Sequence, residues 1–457
     1  MKTLTVPSEE LASLGRLDAY FHLSDGRRLA RHSTGKMLKH SRLGAKDGLK
    51  ATVWAPNRFK RVYAVTGEEG LPYLRPSDTL NYLPRAADML SATRSKNIDS
   101  YRLRAGMILV TCSGRNLGPS VYVDDFMAQF VLSHDMIRVE IEDETLRFYV
   151  LALLGTLPGQ QLLRKDKSGS VIDHITVDHV ATLEVPMLSG STVDDIAARM
   201  HEALQLREKA RLGLAALQQS FEKTLPEMPS TSPAARGWSI AARELTGRID
   251  AAPYTPAIRA VRKSLKAKGG KLLGEVATAL KPPGRYKTVY VNQANGIPIV
   301  SGGQLLQIRS LNPRYMAAHA LKGIDRYRLK TGWIAYQADG RSEEALGEPV
   351  MITSSREDWL ASGHVGRLVA KDAADAGRLY LAFQTPHAQI QLKALASGSV
   401  VDATFPADAE TVVLPPLPAS GGPEVERYWR NFSEAERIED EVFAKIEEAL
   451  IASWASA

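Results

Sequence analysis

Positions that are apolar except at Arg207 recur at alternating steps of three and four along residues 192–224: Val193, Ile196, Met200, Ala203, Arg207, Ala210, Leu214, Leu217 and Phe221. The stretch has no proline and one glycine, Gly213. This pattern predicts a long helix with a heptad-like seam, and Thr192 with Asp195 supplies an N-terminal capping signal. Val425, Tyr428, Phe432, Ala435, Glu439, Val442 and Ile446 repeat the pattern and predict a second helix from about residue 423 to residue 454. At 1.5 Å per residue each helix is about 45 Å long. One charge interrupts each seam, Arg207 lying 14 residues after Val193 and Glu439 lying 14 after Val425. Equivalent residues of two like helices meet only at the centre of an antiparallel pair. The pattern therefore predicts an antiparallel coiled coil with Arg207 against Glu439, and with Leu214 and Phe432 among the helix-pair contacts. Such an ion pair fixes register more than it adds stability. In the alternative, each charge points to solvent while its stem packs on the seam.

Upstream of each helix the period changes. Short β-branched segments such as "GMILVTC" and "GEPVMIT" end in small residues and read as buried strands between turns. Each run closes on "LEVP" or "VVLPPLP", where proline is expected to stop the strand. The segments are also paired by sequence. "GRLDA" at Gly15 returns as "GRIDA" at Gly247, offset by 232; "GLP" at Gly70 returns as "GIP" at Gly296, and "YRLRAG" at Tyr101 as "YRLKTG" at Tyr327, both offset by 226. "SGSVID" at Ser168 returns as "SGSVVD" at Ser397, and "LEVPML" at Leu183 is answered by "VVLPPLP" at Val412, both offset by 229. Five matches in order, over a unit far longer than any solenoid repeat, read as a duplicated domain. Residues 226–237, "PEMPSTSPAARG", read as a linker.

A chain of 457 residues is too long for one ordinary core, in agreement with a duplication. Its single cysteine, Cys112, excludes an internal disulfide and a cysteine-rich zinc site. The longest apolar run, "FYVLALLGTL", is too short to span a bilayer. The N-terminus lacks an apolar signal core, so a cytoplasmic protein with no membrane partner is expected. The net charge of +7 is unevenly placed. Residues 26–61 hold 11 Lys or Arg against one acid, and residues 259–287 hold nine against one. Each repeat thus carries a basic block, whereas residues 424–448 hold nine acids against four bases. Twin cationic zones with an acidic rod suit a polyanion held by the domains and not by the rod; a solvated basic face is the plainer reading of either block alone.

Catalytic motifs fall short. "NPRY" at Asn312 lacks the second proline of an amino-methyltransferase motif and a glycine-rich loop upstream. "HSTGKM" at His32 has Ala30 where a phosphate loop needs glycine and Met37 where it needs a hydroxyl. In "DHITVDH", His174 and His179 would face opposite sides of a strand, so a turn with satisfied histidines is expected rather than a metal site. More informative are "CSGRNLG" and "ADGRSEEALG", which place Gly114–Arg115 and Gly340–Arg341 at the same offset between apolar strands. Each glycine is expected to supply a left-handed turn, and each arginine is a candidate for a base edge or a phosphate. Lys39, Arg42, Arg309 and Arg314 complete the candidate DNA-binding set.

Taken together, the "GRLDA"/"GRIDA" openings, "GLPYLRPSD"/"GIPIVSGGQ", "YRLRAGMILVTCSG"/"YRLKTGWIAYQADGR", the "EVPML"/"LPPLP" strand ends and the long helix after each resemble the DNA specificity subunit of type I restriction–modification systems. The resemblance covers almost the whole chain. It implies an α+β fold of two similar, β-rich target-recognition domains, with pseudo-twofold internal symmetry, joined by two long antiparallel helices. The expected boundaries are residues 1–190 for the first domain, 191–225 for the central helix, 226–237 for the linker, 238–418 for the second domain and 419–457 for the C-terminal helix. Each domain would read one half of a bipartite site in double-stranded DNA. The helices would dock two methyltransferase subunits and, through them, restriction/translocase subunits. It also implies no catalysis and no cofactor on this chain, with S-adenosylmethionine, ATP and Mg on the partners. Two competing readings are a methyltransferase or nuclease with a degenerate site, and a protein-interaction scaffold that binds no DNA.

Overall fold

The computed structural model describes residues 5–9, 11, 19–24, 26–27, 38–114, 116–167, 173–229, 237–245, 247–282, 288–341, 344–398 and 401–455. It is a mixed α+β protein with several small sheets and two long helices, one of 33 residues and one of 34 at the C-terminus. The chain divides into two units, one of residues 1–208 with 434–457 and the other of residues 209–433. The division falls inside both long helices, so each unit holds part of each.

In the first unit the order is β1 (Lys39–Arg42), β2 (Thr52–Trp54), β3 (Gly70–Leu74), β4 (Asp88–Ser91), β5 (Ile108–Thr111), β6 (Ser120–Tyr122), β7 (Val131–Leu132), β8 (Met136–Glu140), α1 (Glu144–Gly155), α2 (Leu157–Arg164), α3 (Val177–Ala181), β9 (Glu184–Met187) and α4 (Gly190–Glu222). The second unit runs through α5 (Pro256–Ala267), β10 (Ala277–Leu280), β11 (Tyr290–Val291), β12 (Ile297–Val300), β13 (Arg314–Met316), β14 (Ile334–Gln337), β15 (Asp339–Gly340), β16 (Pro349–Met351), β17 (Leu360–Ala361), β18 (Val365–Ala370), α6 (Ala376–Gln384), α7 (Pro386–Leu395), β19 (Asp402–Ala403) and α8 (Gly422–Ala455).

The main sheet of the first unit has strand order β2-β8-β5-β6, and that of the second β10-β18-β14-β16. The registers also agree. Ile108 faces Val139 and Tyr122, as Ile334 faces Leu368 and Met351; Val53 faces Val139, as Ala279 faces Leu368. A second small sheet pairs β3 antiparallel with β4 and parallel with β7, and β12 pairs in the same way with β13 and β17. The repeated "YRL" phrase is a device of this frame. Arg102 Nε donates to Asp99 at 2.8 Å and Arg328 Nε to Asp325 at 3.0 Å, with Tyr101 and Tyr327 buried above them. Gly106 and Gly332 follow with φ of 93° and 83°, a conformation that suits glycine, and turn the chain into β5 and β14.

Two local expectations are corrected. Helix α4 starts at Gly190, and its capping residue is Ser189, not Thr192: the Ser189 carbonyl accepts from Val193, and its hydroxyl lies 2.7 Å from that of Thr192. Pro186 does not stop its strand. Strand β9 runs through it to Met187, because β9 pairs only with β1 and has an open edge where a missing N–H costs nothing. Of the expected linker, residues 230–236 lie outside the described residues.

Within the first unit α4 and α8 run antiparallel. Lys445 reaches Asp195 at 2.7 Å, Arg199 pairs with Glu441, and Arg207 Nη2 donates to Glu439 Oε1 at 2.6 Å. The Arg207 and Glu439 side chains are only 12% and 4% exposed. The apolar face is wider than the seam, since Ala197, Leu204, Ile438 and Leu450 are buried with it in the core that contains β5, β8 and α1. A helix packed on a domain body as well as on a partner needs such a broad stripe. Within the second unit Leu214 and Phe432 are both buried, and Gly213 is explained by Tyr428, whose ring would lie 2.1 Å from an added Cβ.

Arg207→Met removes the Arg207 hydrogen bond to the buried Glu439 and is expected to destabilise the protein by about 1.5–3 kcal/mol in urea denaturation, whereas adding Glu439→Leu recovers most of that loss. Cys112, half-buried, is pushed up to about 11 by burial and then by the charge of Asp135. At pH 8 only about a thousandth is thiolate, so Ellman's reagent should label the native protein far more slowly than the denatured chain.

Candidate nucleic-acid interface

The strands β5 and β6, and likewise β14 and β16, are joined by a hairpin that carries the Gly-Arg pair. Its base is built in the same way in both units. The Cys112 N–H donates to the Asp135 carbonyl and the Cys112 carbonyl accepts from Ile175; Ala338 does the same with His364 and Thr404. Ser113 bridges His174, as Asp339 bridges Ala403. The far leg is tied down by a glutamine. Gln160 Nε2 donates to the Gly118 carbonyl at 2.8 Å and to Leu154 at 2.6 Å; Gln389 Nε2 donates to Gly347 at 3.1 Å and to Phe383 at 2.8 Å. Both glutamines sit in the first turn of a helix capped by a threonine, Thr156 or Thr385. Gly118 and Gly347 have φ of 94° and 86°. Sequence reasoning missed this clamp, although the Thr and Gln recur at an offset of 229.

The polar side chains at the hairpin base differ. In the first unit Ser113 Oγ lies 3.4 Å from Asp135, which also accepts from Ser133 at 2.8 Å. In the second unit Asp339 lies 2.7 Å from His364 Nδ1 and 2.5 Å from Lys281 Nζ. Lys281 comes from the second basic block and stands 5.2 Å from the ring centre of the exposed Phe405. His364 is 64% exposed, whereas Asp339 is 15% exposed.

The candidate arginines and lysine are spread over several elements. Arg115 and the segment 32–37 lie outside the described residues. Arg341 is exposed on the hairpin. The expectation for Gly340 is corrected: Gly114 is left-handed, at φ 95°, but Gly340 lies in β15 opposite Asp402, and a strand pairing needs extended backbone. Lys39 and Arg42 are exposed on β1, where Arg42 Nε donates to Glu184 at 2.7 Å. That bond and the charge of Glu184 raise the pKa of Arg42. Arg309 is exposed. Arg314, on β13, stands 5.1 Å from the ring centre of Tyr290; its register position is taken in the first unit by Asp88, which pairs with Arg75 at 2.9 Å. His179 is satisfied in a capping box with Thr176.

The second basic block also forms a concavity. Helix α5 buries Ile258, Val261 and Leu265 and turns Arg259, Arg262, Lys263 and Lys266 into a cleft of about 660 Å³. Arg259 is held by Glu244 at 2.8 Å, and Arg262 Nη1 donates to the Thr411 carbonyl at 2.9 Å. Among the described residues, no helix is long and apolar enough to cross a membrane.

No protein-family model and no curated protein matches the chain. Solved structures do, three of them as follows. The S subunit of a type I restriction–modification system from M. genitalium is 11% identical, with 90% of this chain and 96% of that one covered and a TM-score of 0.28. The HsdS subunit from Thermoanaerobacter tengcongensis is 13% identical over 89% of this chain and 95% of its own, with a TM-score of 0.26. A structure described for complex assembly and conformational transition of the type I R-M system is 13% identical over 89% and 96%, with a TM-score of 0.27. Along nine-tenths of its length, the chain is thus similar to S subunits of type I restriction–modification systems.

Proposed function

We propose that this chain is the DNA-reading, non-catalytic specificity subunit of a type I restriction–modification complex. Each unit reads one half of a bipartite duplex target, and α4 and α8 set the spacing and dock the methyltransferase subunits. The carrying observation is the recurrence of the four-stranded main sheet and of the β3 and β12 pairings, in matching register, in two units that each hold part of both long helices. Two like readers in one chain suit a target of two half-sites. Each frame comes with its own cationic block, which supplies phosphate neutralisation. The two frames display different polar side chains, as an asymmetric target requires. In this reading S-adenosylmethionine, ATP and Mg act on the partner subunits, and Arg341, Arg309, Arg314, Lys39 and Arg42 are DNA contacts of unequal worth, Arg42 being partly neutralised by Glu184.

Co-expression with its methyltransferase subunit, followed by sequencing of modified bases, is expected to give one asymmetric motif split by a fixed spacer; absence of any motif sinks the proposal. The isolated chain is expected not to bind S-adenosylmethionine, and binding would favour the methyltransferase reading. The assembled complex is expected to lose DNA affinity with salt at a log–log slope of about −0.9 per phosphate neutralised; a flat response would count for the scaffold reading.

A further inference from the structure

The sequence offset between the repeats changes from 226 to 229, and the structure locates the change. Gly114 and Gly340 still differ by 226, whereas Gly118 and Gly347 differ by 229. The three additional residues of the second unit therefore fall inside the hairpin, between a base and a clamp that are the same in both units. Surface loops tolerate insertions, and a merely tolerated loop would show a length change here too. Such a loop has no need of a half-buried glutamine spending both amide hydrogens on its root. Nor does it need its base side chains exchanged as a set. At matched positions Ser113, Asp135 and Ala55 of the first unit become Asp339, His364 and Lys281 of the second, with the backbone hydrogen bonds around them unchanged.

Resting on the reading given under Proposed function, we propose that the base of this hairpin is the specificity-determining element of each unit. Asp339, His364 and Arg341 contact base edges in the second unit, and Ser113 and Asp135 do so in the first. The chemistry suits double-stranded DNA. A carboxylate accepts from the cytosine amino group, an arginine donates to guanine, and a serine hydroxyl serves either partner. A carboxylate near a polyanion needs a cation beside it. Lys281, delivered by the basic block, supplies that for Asp339. Gln160 and Gln389 are positioning residues: they touch no base and hold the hairpin leg at a fixed place.

The test uses the assembled complex and the modified motif it writes. Asp339→Asn with His364→Ala, and separately Arg341→Ala, are expected to relax one half-site by roughly tenfold to a hundredfold per lost base contact while the other half-site is read as before. Ser113→Ala with Asp135→Asn is expected to do the reverse. Gln389→Leu should relax the same half-site as the Asp339 variant, with thermal melting monitored alongside. Equal loss in both halves, weaker binding with no change in base preference, or an unchanged motif in all four variants would overturn the inference while leaving the specificity-subunit reading intact. A wild-type complex that writes no bipartite motif would overturn both.

Discussion

An arginine sealed inside each unit ties its main sheet to the sheet of β3 or β12. Arg138 on β8 is fully buried and donates through Nη1 to the Met136 carbonyl and through Nη2 to the carbonyl of Leu132, which belongs to β7 in the other sheet. Arg367, at the same register position on β18, donates to the Arg328 carbonyl, and Arg328 bridges Leu360 of β17. Burial pushes the Arg138 guanidinium down to about 10, so it remains charged at neutral pH. A buried cation of this kind demands several carbonyls at fixed directions. It therefore dictates where β7 and β17 join and which way the sheets turn. Each guanidinium also has an indole nearby, Trp54 at 5.3 Å for Arg138 and Trp333 at 5.9 Å for Arg367. These indoles come from different strand ends: Trp54 is matched by Leu280, and Trp333 by Met107. The cation stays while the aromatic partner changes side, which shows where the frame is rigid and where it has room.

What was legible in the sequence follows from which forces leave a period. The long helices were read to within two residues at either end, because a steady stripe over more than 30 residues leaves no other solution. The Arg207–Glu439 contact was legible for the same reason, since symmetry and spacing alone fix the centre of an antiparallel pair. The strand registers match across the units at the same offsets of 226 and 229 that the sequence repeats have. Hidden from the sequence were features decided by tertiary contact. Arg138 and Arg367 look like ordinary polar positions in apolar strands, and only the enclosing carbonyls mark them as internal. Gln160 and Gln389 read as exposed helix residues, because nothing local says that a glycine carbonyl from a distant loop lies within reach.

The candidate site was less legible than the frame, and the reason is physical. Arginine counts locate charge but not direction. Arg42 lies beside Glu184 and Arg314 beside Tyr290, so each is committed to a local partner before any ligand arrives. Asp339, His364 and Lys281 lie far apart in sequence and converge because β10 and β14 both pair with β18 near its start. A cluster assembled from three segments has no one-dimensional signature.

A duplicated frame can diverge only where its internal obligations end. Inside the sheets, a change of length shifts every side chain beyond it to the opposite face, and a change at Arg138 or Gln160 strands buried polar groups. Those penalties favour variation at places such as the hairpin and the polar set at its base, where a new side chain meets water or a ligand instead of the core. At this hairpin a difference in length thus coincides with a difference in charge. Variation placed there leaves undisturbed both the sheets that carry the hairpin and the long helices in which both units have a part.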